Sequence, residues 1–400
     1  MPQSLPSRAE FTILIAMLFA TVALSIDAML PALPEIAATM SPGAPNNAQL
    51  VITSFVLGMG LGTLLAGPLS DAFGRRRVLL AGGGLYALGA LACYVAPSLE
   101  TLLVFRVIQG IGAAGPRTVT MAIVRDLYSG REMAKIISIA MSIFSLVPAV
   151  APLMGTAVMA FGPWQGVFLA FLVFSAFTMG WFTLRLPETL PADRRKPLDA
   201  GGLWASTVEI LSHRVVVLSV VLQALISGVL FGVLSSMQGI FEQRFDRAAS
   251  FPVWFAVIAV LSMSGSILNA RVVVRLGMRR VLGLTILAQI LLTGALLALN
   301  ASGLMPEALA FPLHLVWTTG IFAMMGLTLG NLNAMAMEPL GHVAGLAASV
   351  VSSLGTIGSV LLAVPLGLLF DGTALPLMAG ALGYSVLCLL LLRLAGPGRG

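Results

Sequence analysis

One acidic residue stands inside a long apolar stretch near the start of the chain. Asp27 lies within LSIDAMLPAL (24–33), six residues before the end of that stretch. Burying an ionised carboxylate costs several kcal/mol unless it is paired or solvated. A carboxyl group that exchanges protons in this setting is a natural proton carrier, and Pro31 and Pro34 should bend the helix beside it. The alternative is an acid close enough to the outer end for water to solvate it.

A stripe of polar residues marks a second apolar stretch. Arg106, Gln109, Ala113 and Arg117 are separated by 3, 4 and 4 positions, which places them on one face of a helix. Arg106 is too far inside the stretch to snorkel easily, so this face should meet protein or a water-filled cavity. Arg117 is nearer the end, and it could instead snorkel to the inner surface or pair with Asp126.

A short charged segment, GPLSDAFGRRR (67–77), separates two further apolar stretches. Its charges do not belong in hydrocarbon, which predicts a turn at a membrane surface, with Gly74 supplying a tight bend that a Cβ would resist. The candidate gating residues of this segment are Gly67, Asp71, Gly74, Arg75 and Arg76. The alternative is that the arginines only anchor the chain on the cytoplasmic side.

VPAVAPLMG (147–155) places two prolines and a glycine inside another apolar stretch. Pro148, Pro152 and Gly155 would free carbonyl groups, kink the helix and allow close packing. An ordinary proline kink, which is common in membrane proteins, explains these residues equally well.

The composition is that of a membrane protein. The 400 residues are 58% hydrophobic and 10% charged, with a mean hydropathy of +1.00, whereas a soluble surface of this size needs far more charge. About twelve stretches approach the roughly 20 apolar residues that span a bilayer. The predicted spans are 11–33, 49–69, 78–96, 101–123, 136–160, 166–186, 215–240, 252–274, 281–299, 309–334, 345–370 and 375–394.

The positive charges are sorted by side of the membrane. Apart from Arg106 and Arg117 inside a span and Arg244 and Arg247 in an outer loop, every Lys and Arg falls on the inner side of this topology. The asymmetry predicts that both termini are cytoplasmic. It also accounts for the net charge of +6 without a nucleic-acid partner, because the cations follow the topology rather than forming a binding patch.

The longest polar stretch divides the chain into halves. It predicts an N-terminal six-helix bundle over 1–186, a cytoplasmic linker over 187–213 and a C-terminal six-helix bundle over 214–400.

A weak internal repeat supports this division. ARVVVRLGMRRVL (270–282) aligns with GPLSDAFGRRRVL (67–79) at the equivalent place in the second half. Val274 stands where Asp71 would be, so the turn and its cations recur without the acid.

The chain contains no motif of an enzyme. It has no Walker loop, no His-Glu-x-x-His and no Gly-x-Ser-x-Gly, and its histidines lack metal-ligand spacing. We therefore expect neither catalysis nor a metal or other cofactor, and a proton gradient rather than ATP as the energy source.

Four segments together resemble the major facilitator superfamily, and within it the Bcr/CflA group of bacterial drug:proton antiporters. They are GPLSDAFGRRR from Gly67, IDAMLPALPEI from Ile26, LLVFRVIQGIGAAGPR from Leu102 and VRDLYSGREMAKIISIAMSIFSLVPAVAPLMG from Val124. The resemblance implies an all-α membrane fold of twelve transmembrane helices in two pseudo-symmetric six-helix bundles. It also implies a monomer in the bacterial inner membrane.

The resemblance also implies roles for particular residues. Asp27 matches the first-helix acid that couples protons to substrate, and Arg106, on the stripe with Gln109 and Arg117, matches a fourth-helix arginine tied to proton transfer. Asp71 and Gly74 match a loop that locks the two halves on the inner side. Pro148, Pro152 and Gly155 match the antiporter motif of helix five, although its glycines are incomplete here.

These expectations combine into proton-coupled efflux by alternating access. Two arginines inside spans against one acid disfavour a dicationic cargo, so neutral or weakly charged amphiphiles, such as phenicol-like compounds, fit better. The alternative is an importer or proton symporter of the same fold for a sugar or small metabolite.

Overall fold

The computed structural model describes residues 6–394, and that part of the chain is helical throughout, without a β-strand. It contains fourteen α-helices, of which twelve have 20 or more residues. The first eight are α1 (Arg8–Asp27), α2 (Leu33–Met40), α3 (Leu50–Phe73), α4 (Arg75–Tyr94), α5 (Leu99–Leu127), α6 (Gly130–Met159), α7 (Gly166–Arg185) and α8 (Ala200–Ser212). The other six are α9 (Arg214–Gln243), α10 (Phe251–Leu276), α11 (Met278–Ala301), α12 (Glu307–Met337), α13 (Ala344–Leu368) and α14 (Leu375–Leu394).

Eleven helical segments in the described range are long and apolar enough to cross a membrane. The remaining long helix, α5, has 29 residues but carries the polar stripe and further charges at both ends. Its length suffices to span hydrocarbon, because a helix rises about 1.5 Å per residue and the core is about 30 Å thick. The structure therefore has twelve helices of membrane-spanning length, as the sequence predicts.

The chain forms two compact units, Met1–Ser206 (unit 1) and Thr207–Gly400 (unit 2). The division falls within α8, inside the polar stretch 187–213. Each unit holds six of the long helices.

In unit 1, α5 is packed between α3 and α4 at contacts where glycine replaces a side chain. A Cβ on Gly110 would overlap the Phe55 carbonyl of α3, and a Cβ on Gly112 would overlap the Tyr86 backbone of α4. Helices in lipid associate through such small residues, because close backbone approach maximises van der Waals contact. This packing explains how a helix with an arginine in its middle becomes buried on two sides.

The buried apolar side chains cluster within each unit. The core of unit 1 is formed by side chains from α1, α4, α5, α6 and α7, among them Phe11, Ile15, Leu79, Ile123, Ile136 and Phe182. In unit 2, α9 packs against α13 through Gly228 and Gly232, which lie against Leu362 and Leu366.

Candidate functional site

The first helix is interrupted directly after the predicted proton carrier. α1 ends at Asp27, a short 3₁₀ segment covers Leu30–Ala32, and α2 then runs to Met40. Pro31 lies four residues after Asp27, so the Asp27 carbonyl has no helical N–H donor at that position. The sequence-based prediction of a distortion beside the acid is confirmed.

Helical structure continues well beyond Asp27. The helical segment that begins at Arg8 continues to Met40, thirteen residues beyond Asp27 and seven beyond the predicted end of the span at residue 33. Helical geometry resumes directly after the 3₁₀ segment, where α2 begins at Leu33.

The Asp27 side chain is buried and unpaired. The residue is 6% exposed, and among residues 6–394 its carboxylate forms no hydrogen bond and no ion pair. A buried carboxylate without a partner is costly when ionised.

Arg106 is fully buried and holds three helices together. Its Nε donates to the Val51 carbonyl of α3 at 3.0 Å, and its Nη2 donates to the Ser25 carbonyl of α1 at 2.9 Å. Its Nη1 donates to Gln109 Oε1, one turn further along α5, at 2.7 Å. The guanidinium carbon also lies 4.5 Å from the centre of the Phe55 ring, a distance typical of cation–π contact.

This arginine has no carboxylate partner in the described part of the chain. Arg106 reaches the acid only indirectly, because it contacts the carbonyl of Ser25, two residues before Asp27. Three oxygens accept hydrogen bonds from the guanidinium and the Phe55 ring lies against it, but no carboxylate neutralises its positive charge.

Ser25 links the acid-bearing helix to a further helix that the sequence did not point to. Its hydroxyl donates to the Thr21 carbonyl at 2.6 Å and lies 2.6 Å from the Tyr86 hydroxyl of α4. Because Ser25 donates its hydroxyl proton to the Thr21 carbonyl, the Tyr86 hydroxyl donates the second hydrogen bond to Ser25 Oγ. The available signal was a serine two residues before a buried acid, which sequence reasoning passed over.

The predicted antiporter motif of the fifth membrane span lies on α6 and contacts the chain where α1 ends. Gly155 of α6 is buried, and a Cβ there would overlap the carbonyl of Ala28, the residue after Asp27. Pro152 is buried one turn earlier, and Pro148 is half-buried within the same helix. Thus Gly155, rather than the prolines, brings α6 against the backbone beside the acid.

Arg117 and the predicted gating residues lie away from this centre. Arg117 is half-buried and places its Nη1 3.1 Å from the Met59 sulfur of α3. The suggested pair of Arg117 with Asp126 is not observed, because Asp126 accepts from Arg75 Nε at 3.0 Å and from the Thr189 hydroxyl.

The charged segment is not an extended turn. α3 continues through Gly67 and Asp71 to Phe73, and α4 begins at Arg75, so Gly74 is the single residue between them. Gly74 has φ +98° and ψ 152°, a backbone conformation that L residues rarely adopt. The prediction of a glycine-dependent turn is confirmed, whereas the predicted length of the turn was wrong.

Ion pairs and a distant carboxylate fix this junction. Arg75 Nη1 donates to Asp71 Oδ1 at 2.5 Å and to Ser70 Oγ at 2.7 Å. Glu188, which follows α7, accepts the backbone N–H groups of Arg75 at 2.8 Å and Arg76 at 3.2 Å. It thereby caps the positive end of α4. Sequence reasoning missed Glu188, whose one signal was an acid two residues after the predicted sixth span.

Comparison with known proteins identifies the family. The family model described as Major Facilitator Superfamily matches residues 13–363. The chain belongs to the major facilitator superfamily. It is therefore a membrane transporter of small molecules and not an enzyme, and the predicted twelve-helix architecture is that of the family.

Relatives of this facilitator include named resistance proteins. It is 30% identical to the uncharacterized MFS-type transporter YdgK of Bacillus subtilis, over 92% of this chain and 93% of the relative. It is also 30% identical to a chloramphenicol resistance protein of Pseudomonas aeruginosa, over 88% of this chain and 82% of that one. The multidrug resistance protein MdtL of Klebsiella pneumoniae is 30% identical, over 94% and 92%. These relatives agree with the Bcr/CflA-type resemblance.

Solved structures of other facilitators share the fold. A D-xylose-proton symporter matches with a TM-score of 0.76 at 12% identity, over 97% of both chains. The human organic anion transporter MFSD10 matches with a TM-score of 0.66 at 20% identity, over 97% of this chain and all of that one. At these identities the likeness concerns the fold alone.

Proposed function

We propose that this facilitator exports small amphiphilic compounds in exchange for protons, by alternating access of a central site. The observation that carries the proposal is the unpartnered, buried carboxyl group of Asp27 at the break in the first helix. A transporter driven by a proton gradient needs one group that gains and loses a proton during the cycle, and an unpaired buried acid has the right chemistry.

Competition at Asp27 would couple the two fluxes. When the site faces the more acidic side, the carboxyl group takes up a proton and its affinity for cargo falls. When the site faces the cytoplasm, the proton leaves and cargo binds. The local arrangement supports such switching, because no arginine or lysine in the described part of the chain holds Asp27 permanently in its ionised form.

Arg106 would serve as a fixed positive charge that positions the acid. Its Nη2 donates to the Ser25 carbonyl and so fixes the last turn of α1. Because no anion neutralises its charge, it raises the free energy of binding a cation nearby. Gln109 orients the guanidinium, and Arg117 extends the cationic character along the same helix face. This supports neutral or weakly charged amphiphiles over dications as cargo.

The names of relatives support efflux and the choice of a test compound. One relative at 30% identity is named a chloramphenicol resistance protein, and another is named a multidrug resistance protein. Chloramphenicol is a neutral amphiphile, which agrees with the charge argument. Import of a sugar has no comparable support, because the likeness to a xylose symporter is at 12% identity and concerns the fold alone.

The junction around Gly74 would act as the inner gate. Asp71 lies one turn before Gly74 and forms an ion pair with Arg75 across the junction, which supports its assignment to the gate. The distribution of Lys and Arg supports both termini in the cytoplasm. The bacterial relatives support the inner membrane as the location, and the family resemblance supports a monomer.

The decisive experiment measures chloramphenicol accumulation in everted membrane vesicles with an acidic interior. We expect wild-type protein to accumulate the drug and Asp27→Asn to fall to the level of vesicles without the protein. Asp27→Glu, which keeps a carboxyl group, should retain part of the activity. Thermal unfolding in detergent should show both variants folded. Gradient-dependent accumulation by Asp27→Asn at the wild-type rate would refute the proposal.

A further inference from the structure

One end of unit 2 carries a groove lined by arginines and leucines. It has a volume of about 490 Å³ and lies between α11 and α14, near the start of α11 and the end of α14. Its lining residues are Arg279, Arg280, Gly283, Leu284, Leu287, Leu389, Leu392 and Arg393. Among the residues that the structure describes, three arginines and no carboxylate line this groove.

Unit 1 has the same arrangement at its own α4 and α7. Arg76, near the start of α4, donates from Nη2 to the Thr183 carbonyl at 2.8 Å, close to the end of α7. Arg279, near the start of α11, donates from Nη2 to the Leu392 carbonyl at 2.7 Å, close to the end of α14. The internal repeat thus preserves a contact that ties the first turn of one helix to the last turn of another.

The two copies differ in how the other cations are neutralised. In unit 1, Asp71 and Asp126 pair with Arg75. Glu10 binds Arg185, at the end of α7, through two hydrogen bonds of 2.6 and 2.8 Å.

In unit 2, Met278 stands at the position of Arg75, and Arg393, near the end of α14, lacks the carboxylate that Arg185 has at the end of α7. Val274 stands at the position of Asp71. Within residues 6–394, Arg280 and Arg393 form no hydrogen bond or ion pair, and the donor of Arg279 goes to a carbonyl. The groove therefore holds a cluster of three arginines that no carboxylate in the described part of the chain neutralises.

The position and lining of the groove decide what could supply the anion. Only 33% of the residues in the apolar stretch of α11 are buried, and the share in α14 is the same. Both helices therefore lie at the periphery of unit 2. Leu284 in the groove is 56% exposed, which in a membrane means contact with lipid. A ligand that fits must have a negative group at the arginines and an apolar chain along the leucines.

We propose that this groove binds an anionic phospholipid of the surrounding bilayer. The phosphate lies between Arg280 and Arg393, and an acyl chain follows Leu284 and Leu287 along α11. Basic pockets between membrane helices recognise anionic head groups in this way. Free phosphate matches the arginines alone and leaves the leucine lining unused.

Native mass spectrometry of the full chain in detergent tests the proposal, with phosphatidylglycerol or phosphatidylcholine added. The wild-type protein should retain phosphatidylglycerol in preference to phosphatidylcholine. Replacing both cations, Arg280→Gln with Arg393→Gln, should weaken phosphatidylglycerol binding by roughly tenfold or more. The matched control, Arg271→Gln with Arg275→Gln, removes two exposed charges outside the groove on α10 and should change binding by less than about twofold.

A variant that keeps all three arginines distinguishes binding of the acyl chain in the groove from electrostatic attraction of the head group alone. Gly283 lines the groove, and the nearest atom to an added Cβ is a Leu392 methyl group at 3.8 Å, so Gly283→Leu should fill the groove without a backbone clash. It should also weaken phosphatidylglycerol binding. Equal binding of both lipids, equal losses in the groove and control pairs, or full displacement of the lipid by inorganic phosphate would each overturn the proposal.

Discussion

At the scale of single residues, Arg106 and Asp27 are both buried in unit 1 but differ in how their surroundings accommodate a charge. Arg106 is surrounded by carbonyl, amide and aromatic partners, whereas Asp27 has no described partner for its carboxylate. A group that is fully satisfied is suited to a fixed role, and a group without partners is suited to changing its state. The functional assignments follow this contrast.

Arg106→Lys should destabilise the protein even though it keeps the charge. An ammonium group lacks the planar fork that reaches Val51, Ser25 and Gln109 together, so at least one buried carbonyl loses its donor, at about 1–3 kcal/mol. Thermal unfolding in detergent measures this loss. Arg125→Lys, at an exposed position of the same helix, is the matched control and should lie within about 0.5 kcal/mol of wild type. Equal stabilities for the two variants would contradict the role given to Arg106.

At the scale of helices, close backbone contacts determine where the acid can lie. α5 is held by glycine contacts to α3 and α4, and α6 reaches the Ala28 carbonyl through Gly155. Each contact tolerates no added side-chain atom without a shift of a whole helix. Small residues at these positions therefore set the geometry around Asp27 more directly than the prolines do.

Gly155→Ala should impair transport and stability together. The new Cβ meets backbone rather than a flexible side chain, so α6 must move away from α1, at about 1–3 kcal/mol for overpacking. Gly180→Ala is the control, because no atom lies within 4 Å of its added Cβ. It should gain up to about 1 kcal/mol from helix propensity. Unfolding and vesicle transport measured on both variants test this, and similar behaviour of the two would refute the packing argument.

Glu188→Gln should weaken the start of α4. One amide oxygen replaces a carboxylate that accepts two backbone N–H groups, and the interaction with the helix dipole is lost, at about 0.5–2 kcal/mol. Glu132→Gln is the comparison, because Glu132 lies in the first turn of α6 and forms an exposed pair with Arg8 that contributes at most about 1 kcal/mol. Hydrogen exchange at the Arg75 and Arg76 amides should rise only in the Glu188 variant.

At the scale of the whole molecule, the fold is two units built from one repeated pattern that has diverged in charge. Both copies keep a glycine with positive φ between helices, Gly74 and Gly277, at +98° and +78°. Unit 1 adds carboxylates around its copy, and unit 2 does not.

Asp71→Asn should slow transport while leaving membrane insertion and expression intact. The proposed gate loses its charge, whereas the structural pair of Arg75 with Asp126 remains. Asp193→Asn, an exposed acid in the linker, should transport at the wild-type rate. Chloramphenicol accumulation in vesicles, normalised to the amount of protein, gives the comparison. Undiminished transport by Asp71→Asn would remove the gating role.

The sequence by itself determined the twelve helices, the distortion after Asp27 and the glycine-dependent junction at Gly74. These features depend on local information: hydropathy over a window of about 20 residues, the missing donor of proline and the missing Cβ of glycine. It also placed Arg106 on a buried face, because helical periodicity is local as well.

Only the tertiary structure decided which groups satisfy one another. The Arg106 partner in α1 is 81 positions away in the chain, and the Glu188 partner of Arg75 is 113 positions away. The short helix α2, which carries the helical segment on to Met40, also became visible only there. Buried polar groups take whichever partners packing brings near, and that choice depends on all neighbouring helices together rather than on any one stretch of sequence.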